Sequence, residues 1–278
     1  MRALGHIHPW SVIRHILLLA GALVMLTPFI WMLSTASKPQ TEIFSSDLHL
    51  IPYHFALWDN LRTAFARANL WRYLLNGLIV TVSIFGLQVL VALPAAYAFA
   101  KLRFLGREVL FALVVFCILI PPQATAIPVF LLLHRLGVLD SYAALVLPFT
   151  ISVFGIFLMR QFFRNVPDDL VDAARMDGIS EFGIAWRVML PAAIPAVTAF
   201  GIFSVVAHWN DYFWPLIVLN SEHLRTPPLG VASFRNEEAG TNYGPLMAAA
   251  IVIITPLLIA FLLAQRRFIE GITLTGIK

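Results

Sequence analysis

Charge almost vanishes from six stretches of the chain: Ile16–Ser37, Tyr73–Ala100, Val109–Leu133, Ser141–Met159, Val188–Ser221 and Thr241–Gln265. Each runs roughly nineteen residues or more, the length a helix needs to cross a hydrocarbon core about 30 Å thick. Only the fifth is interrupted, by His208 and Asp211. Lipid offers backbone N–H and C=O groups no partners, so spans this apolar must satisfy them internally, as helices. The pattern predicts an all-α, polytopic membrane protein with six transmembrane helices, over about 14–37, 73–100, 109–133, 141–160, 190–220 and 243–265. Residues 1–278 read as a single membrane domain, with a longer polar connection over 161–189.

Composition agrees. Hydrophobic residues make up 60% of the chain and charged residues 12%, about half the charge of a soluble domain. The net charge of +4 fits loops facing anionic lipid and gives no reason to invoke nucleic acid. Cys117 is the only cysteine. It excludes an intramolecular disulfide and reads as a buried, inert thiol inside a span. The first apolar run exceeds the roughly seven to fifteen residues of a signal-peptide core. Despite a faint cleavage-site likeness at Ser34-Thr35-Ala36, it reads as a retained helix.

Lysines and arginines orient the spans. With the N-terminus in the cytoplasm, twelve of the 19 fall on the inner side and seven on the outer, four of those in one loop. Both termini are therefore expected inside. The outer side then carries Lys38–Arg72, a short turn at His134–Asp140 and a loop near Glu222–Gly240. Within the first of these, Asn60–Trp71 suits a short helix with Leu61, Phe65, Ala68 and Trp71 on one side.

The inner connection Arg160–Arg187 has helix signals of its own. Pro167 followed by Asp168 and Asp169 is a helix start, with acids at the positive end of the dipole. Gly178 permits a turn, and Ser180 can cap a second helix carrying Phe182, Ile184 and Trp186. This is either an ordinary connector with a solvated acidic face or a helix–turn–helix elbow lying on the membrane surface. Its length and aromatic content favour the elbow.

The residues Asp172-Ala173-Ala174, Asp177-Gly178 and Leu190-Pro191, with Asn165-Val166-Pro167 before them and Pro195 after, resemble the signature of inner-membrane permease subunits of ATP-binding-cassette importers. That signature begins Glu-Ala-Ala, where this chain has Asp172, and has Ala after the Asp-Gly, where this chain has Ile179. The resemblance implies a type I importer permease fold in which the elbow is a coupling helix. Asp172, Ala173, Ala174, Asp177, Gly178 and Phe182 would then seat in an ATPase subunit. The chain has no G-x-x-x-x-G-K-[ST] phosphate loop. ATP and magnesium are therefore expected on separate subunits, and this chain is expected to bind no cofactor and to catalyse nothing. The implied partners are a homologous second permease, two ATPase subunits and an extracytoplasmic solute-binding protein. The implied location is the bacterial inner membrane.

Polar residues at membrane depth mark candidate sites. The densest group is His208-Trp209-Asn210-Asp211-Tyr212-Phe213-Trp214-Pro215. His208 and Asp211 lie three apart on one helical face. A metal pair would need further ligands. A structural role for Asp211, pairing or capping the break at Pro215, stays open beside a third reading, in which Trp209, Asn210, Asp211 and Tyr212 line a pathway. Aromatic faces beside hydrogen-bonding groups suit sugar rings. Gln123 and Asn76 are further candidates, each equally able to bond a neighbouring helix. The string WNDYFWPL, Ile120-Pro121-Pro122-Gln123 with Ile127-Pro128, and the tail Gln265–Thr273 resemble the carbohydrate-type permeases of the maltose and glycerol-phosphate group, in their shorter six-span member. That resemblance implies uptake of a sugar, oligosaccharide, polyol or glycerol phosphate by alternating access.

Two rival classes have less support. An ion-coupled secondary transporter would need coupling carboxylates or repeated halves, and Asp211 alone supplies little. A membrane hydrolase would need a nucleophile with its base or a ligand cluster, and the eight histidines are scattered.

Overall fold

The structure, a computed structural model, describes residues 9–45, 47, 49–234 and 241–273, the side chains of 9, 264 and 266–273 excepted. The two chain ends that set the expected orientation, the end of the Glu222–Gly240 loop and the side chains of the C-terminal motif after Gln265 lie outside the described residues. Among those described, every regular element is helical. They divide into two compact units, one within Met1–Ala68 and Ser233–Val252, the other within Asn69–Ala232 and Ile253–Lys278.

The first unit opens with α1 (Pro9–Ala36), whose apolar surface is unburied over its hydrophobic window. Beyond it, α2 (Gln40–Ile43) carries Glu42 into the interior. The Glu42 carboxylate accepts from His49 Nε2 (2.7 Å) and from the backbone N–H groups of Tyr53 (2.7 Å) and His54 (3.2 Å). Burial works against its charge. The Tyr53 N–H, His49 and the His54 N–H outweigh that and hold its carboxyl below the usual range.

The helix expected over Asn60–Trp71 is α3 (Leu57–Arg67), which stops before Trp71. Its buried face is Asn60 and Ala64, followed by Ala68, with Phe65 exposed. The register is set by Asn60, whose amide donates to the carbonyls of Ala36 (2.8 Å) and Lys38 (2.9 Å). Hydrophobicity alone pointed to the neighbouring stripe.

The second unit is built on α4 (Leu70–Lys101), an unbroken 32-residue helix. Then follow α5 (Arg107–Cys117), α6 (Ala126–Arg135), α7 (Tyr142–Val146), α8 (Val153–Phe163), α9 (Asp168–Met176), α10 (Glu181–Ile184), α11 (Leu190–Ala192), α12 (Ile194–Trp209), α13 (Phe213–Val218) and α14 (Pro227–Ala232). The last helix, α15 (Tyr243–Thr273), contributes Tyr243–Val252 to the first unit and its remainder to the second.

Six apolar stretches thus become three unbroken candidate spans, Trp10–Ala36, Leu70–Lys101 and Tyr243–Leu263, and three bent pairs. The chain turns 95° between Cys117 and Pro122, 42° between Phe149 and Val153, and 85° between Ala192 and Ile194. Prolines explain the first and third, because Pro121-Pro122 and Pro195 cannot continue a hydrogen-bonded ladder. The stretch read as one span over 190–220 breaks a second time between Trp209 and Phe213. Cys117, expected to be buried, is exposed at the first bend, on a helix that buries Phe111 but leaves Val109, Leu113 and Phe116 unpacked as well.

Two hydrophobic clusters hold this unit. One joins Leu93, Ala96 and Tyr97 of α4 to Met159 and Phe163 of α8 and to Val171, Ala174, Ile184 and Met189 around the elbow. The other joins Val80 and Ile84 to Leu133, Leu145, Trp214 and Val218. Close approach needs small residues. A Cβ at Gly230 would lie 2.1 Å from the fully buried Tyr73 ring.

Candidate functional site

The elbow begins where the sequence placed it. Pro167 is the extended N-cap of α9, and Asp168 and Asp169 occupy the first turn. At its end Gly178 has φ +75°. The Gly178 N–H donates to the Arg175 carbonyl (3.0 Å) and the Ile179 N–H to the Ala174 carbonyl (3.1 Å). That pair of bonds is a Schellman motif, in which only glycine takes the left-handed position without strain. Ser180 then caps the next helix by accepting from the Gly183 N–H at 3.2 Å, and a π-helical turn over Ala185–Met189 leads into α11.

Charges lock this turn. Arg175 donates to Asp172 (2.9 Å) and to Glu181 (2.8 Å), and the Tyr97 hydroxyl also donates to Glu181. Lys101 donates to the Val166 carbonyl and to Asp168, both at 2.5 Å. Ala174 turns into the core, while Asp172, Ala173 and Asp177 face outward. Met176 is 88% exposed and Phe182 62%. A frame tied by Arg175 and Lys101 therefore presents bare apolar side chains.

The second candidate lies at the helix breaks. A cavity of about 390 Å³ is lined by Pro122, Gln123, Phe149, His208, Asp211 and Trp214, among others. Of the residues expected along a pathway, Gln123 and Asp211 reach it. Asp211 also caps α13, its Oδ1 accepting from the Trp214 N–H at 3.2 Å. Trp209 is buried and donates its indole N–H to the Ile253 carbonyl (2.9 Å). The Asn210 amide bonds its own helix at the Val206 carbonyl (2.8 Å), and Tyr212 lies exposed outside the cavity lining.

Asn76 sits elsewhere. Fully buried, it donates to the carbonyls of His223 and Arg225 (both 2.9 Å) and accepts from the Tyr142 hydroxyl (2.6 Å). It staples the 223–225 segment to α4. Residues absent from the sequence reading, Gln88 and Ser204, form a buried polar pair beside His208. Among the described residues no three His, Cys, Asp or Glu side chains group as a metal site.

Residues 69–273 match the family described as binding-protein-dependent transport system inner membrane component. The chain belongs to that family. It is a multi-pass inner-membrane permease subunit of an ATP-binding-cassette importer and not an enzyme. Relatives include the arabinooligosaccharides transport system permease protein AraQ of Halalkalibacterium halodurans, 34% identical, with 92% of each chain covered. The sn-glycerol-3-phosphate transport system permease protein UgpE of Pectobacterium atrosepticum is 31% identical, covering 94% of this chain and 95% of its own. Among solved structures, a bacterial transporter importing the acidic polysaccharide alginate matches with TM-score 0.81 at 26% identity. The match covers 93% of this chain and 96% of that one.

Proposed function

We propose that this chain moves a sugar or related solute into the cytoplasm by alternating access, and that the elbow receives the stroke of a separate ATPase. The observation that carries the reading is the elbow's build: Met176 and Phe182 stand exposed on a turn that Arg175 ties to Asp172 and to Glu181. Such a surface offers a partner groove apolar side chains on a frame already held by its own ion pairs. Asp172, Ala173, Asp177 and Gly178 shape that surface, and Ala174 anchors it from below. ATP and magnesium belong to the ATPase subunits. ATP-driven closure there shifts the permease between two packed states, as rigid-body transitions do.

The Lys and Arg distribution supports an elbow and both termini on the cytoplasmic side. A second permease completes the pathway, and an extracytoplasmic binding protein delivers the solute to the opposite face. The curated relatives, one named for arabinooligosaccharides and one for glycerol phosphate, support a polyhydroxylated cargo. On this chain's side the cargo passes the cavity holding Gln123 and Asp211, while Trp209, Asn210 and Tyr212 shape the break beside it.

The test is the double change Asp177→Lys with Gly178→Pro. Proline cannot adopt φ +75°, so the Schellman turn is lost. The assembled complex is expected to lose the stimulation of ATP hydrolysis by its binding protein. Full stimulation in this variant would show that the elbow does not transmit the stroke.

A further inference from the structure

Gln88 is buried near the middle of α4. Its Nε2 lies 2.9 Å from the Phe149 carbonyl oxygen and 3.2 Å from His208 Nε2, while its Oε1 accepts from Ser204 Oγ at 2.6 Å. A carbonyl can only accept, so the amide nitrogen must be the end facing Phe149. That fixes the orientation of the amide, which leaves its second N–H directed to His208 Nε2. That ring nitrogen must then be the acceptor, and the ring proton must sit on Nδ1. A doubly protonated ring would bring two donors face to face across the same contact.

His208 Nδ1 has no hydrogen-bond partner among the described residues. It is also absent from the sealed-in, unpartnered atoms, which are the hydroxyls of Thr81, Thr150 and Thr226 and the Trp186 indole. The His208 ring lines the 390 Å³ cavity and packs 4.9 Å from the Phe149 ring. The cavity lining therefore brings together His208, whose Nδ1 is unpartnered among the described residues, with the Asp211 carboxyl and the Gln123 amide, beside Phe149 and Trp214. Among the described residues, no lysine or arginine lines the cavity.

We infer that Gln88 holds His208 as an uncharged Nδ1–H donor at the cavity wall, and that this cavity selects an uncharged saccharide over an anionic solute. A sugar hydroxyl both donates and accepts, so it can bridge His208 and Asp211, and the aromatic walls take the apolar ring faces. A phosphate or carboxylate group is ordinarily met by Arg or Lys; here it would find a neutral donor and the Asp211 carboxyl. His208 is the substrate-contacting residue, and Gln88 is its positioning residue. The inference rests on the importer reading above and narrows its cargo.

The experiment uses the complete complex in nanodiscs, with this chain labelled by 15N-histidine and the His208 signal assigned by its loss in His208→Gln. At about neutral pH the signal is expected in the Nδ1–H tautomer, and Gln88→Met should mix in the other form. Arabinotriose, maltotriose and glycerol are then each added at about 10 mM, enough to reveal millimolar binding, and so is glycerol 3-phosphate. A neutral compound is expected to shift the His208 signal and glycerol 3-phosphate to leave it in place. An Nε2–H or charged His208 in the wild type overturns the inference, as does a response to glycerol 3-phosphate or to none of the four. Should Gln88→Met fail to assemble, the wild-type tautomer and the four additions still decide. Loss of binding-protein stimulation in the elbow variant is independent of these signals, so the importer reading can stand while this narrowing falls.

Discussion

The elbow and the cavity are both places where a helix stops, and they stop by opposite chemistry. At the elbow the chain turns through Gly178, and the turn is held by ions: Arg175 between Asp172 and Glu181, Lys101 on Asp168. At the cavity several helices break close together, and carbonyls left open there are met by neutral donors. Gln88 covers the Phe149 carbonyl, and the Trp214 indole donates to the Ala144 carbonyl at 2.9 Å. Water can solvate a mismatched charge at the elbow. In the membrane it cannot, so broken backbone is tolerated only where side chains or a wet cavity satisfy it. Ion pairs accordingly suit the face that water reaches, and amides suit the interior that must keep its shape.

That contrast ranks the consequences of mutation. The largest is expected at the elbow's glycine, where Asp177→Lys with Gly178→Pro abolishes coupling outright. Next comes Gln88→Leu. It strands Ser204 and the Phe149 carbonyl, and each orphaned buried group costs about 1–3 kcal/mol. Thermal unfolding of the purified complex should register the loss. A Gln88→Leu protein as stable as wild type would break the claim that the cavity wall depends on neutral hydrogen bonding.

Packing gives a sharper pair. Gly230→Ala puts a methyl 2.1 Å from the buried Tyr73 ring, and overpacking of this kind costs about 1–3 kcal/mol. Gly86, in the same unit and inside α4, would bring an added Cβ against no packing neighbour among the described residues. Gly86→Ala should therefore be neutral or stabilising by up to about 1 kcal/mol through helix propensity. Equal melting shifts for the two variants would show that the close Tyr73–Gly230 contact does not constrain the fold.

The elbow was legible in the sequence because its determinants are neighbours. Pro167, the two following acids, Gly178 and Ser180 act within one or two turns, and each does locally what its chemistry dictates. The spans were legible because apolar length is a property of a window. The cavity wall was not. Gln88 reads as one polar residue in an apolar helix, and its partners lie 61, 116 and 120 residues away. Asn76 was singled out as a pathway candidate on the same thin signal, and its partners across 147 and 149 residues make it a staple. The register of α3 escaped for the same reason: the Asn60 amide answers to carbonyls 24 and 22 residues earlier. Bends are intermediate. The prolines mark where a helix breaks, but the angle depends on what packs against it.

The smallest expected effect tests the ionic side of the contrast. The hydrogen bond and charge of Lys101 hold the Asp168 carboxyl below the usual carboxylate range. Its pKa is thus lower folded than unfolded, so its contribution is fully present above the unfolded value near 3.9. It fades as pH falls through the lower folded value. Asp168 is largely exposed, and solvent screens such pairs strongly. Wild type and Asp168→Asn should therefore differ slightly in amide-exchange protection of α9 at about pH 6, and that difference should shrink toward zero near pH 2. A difference that grows on acidification would mean that the aspartate strains the elbow instead of fastening it. The elbow would then be held by Arg175 and the Gly178 turn, without help from Lys101.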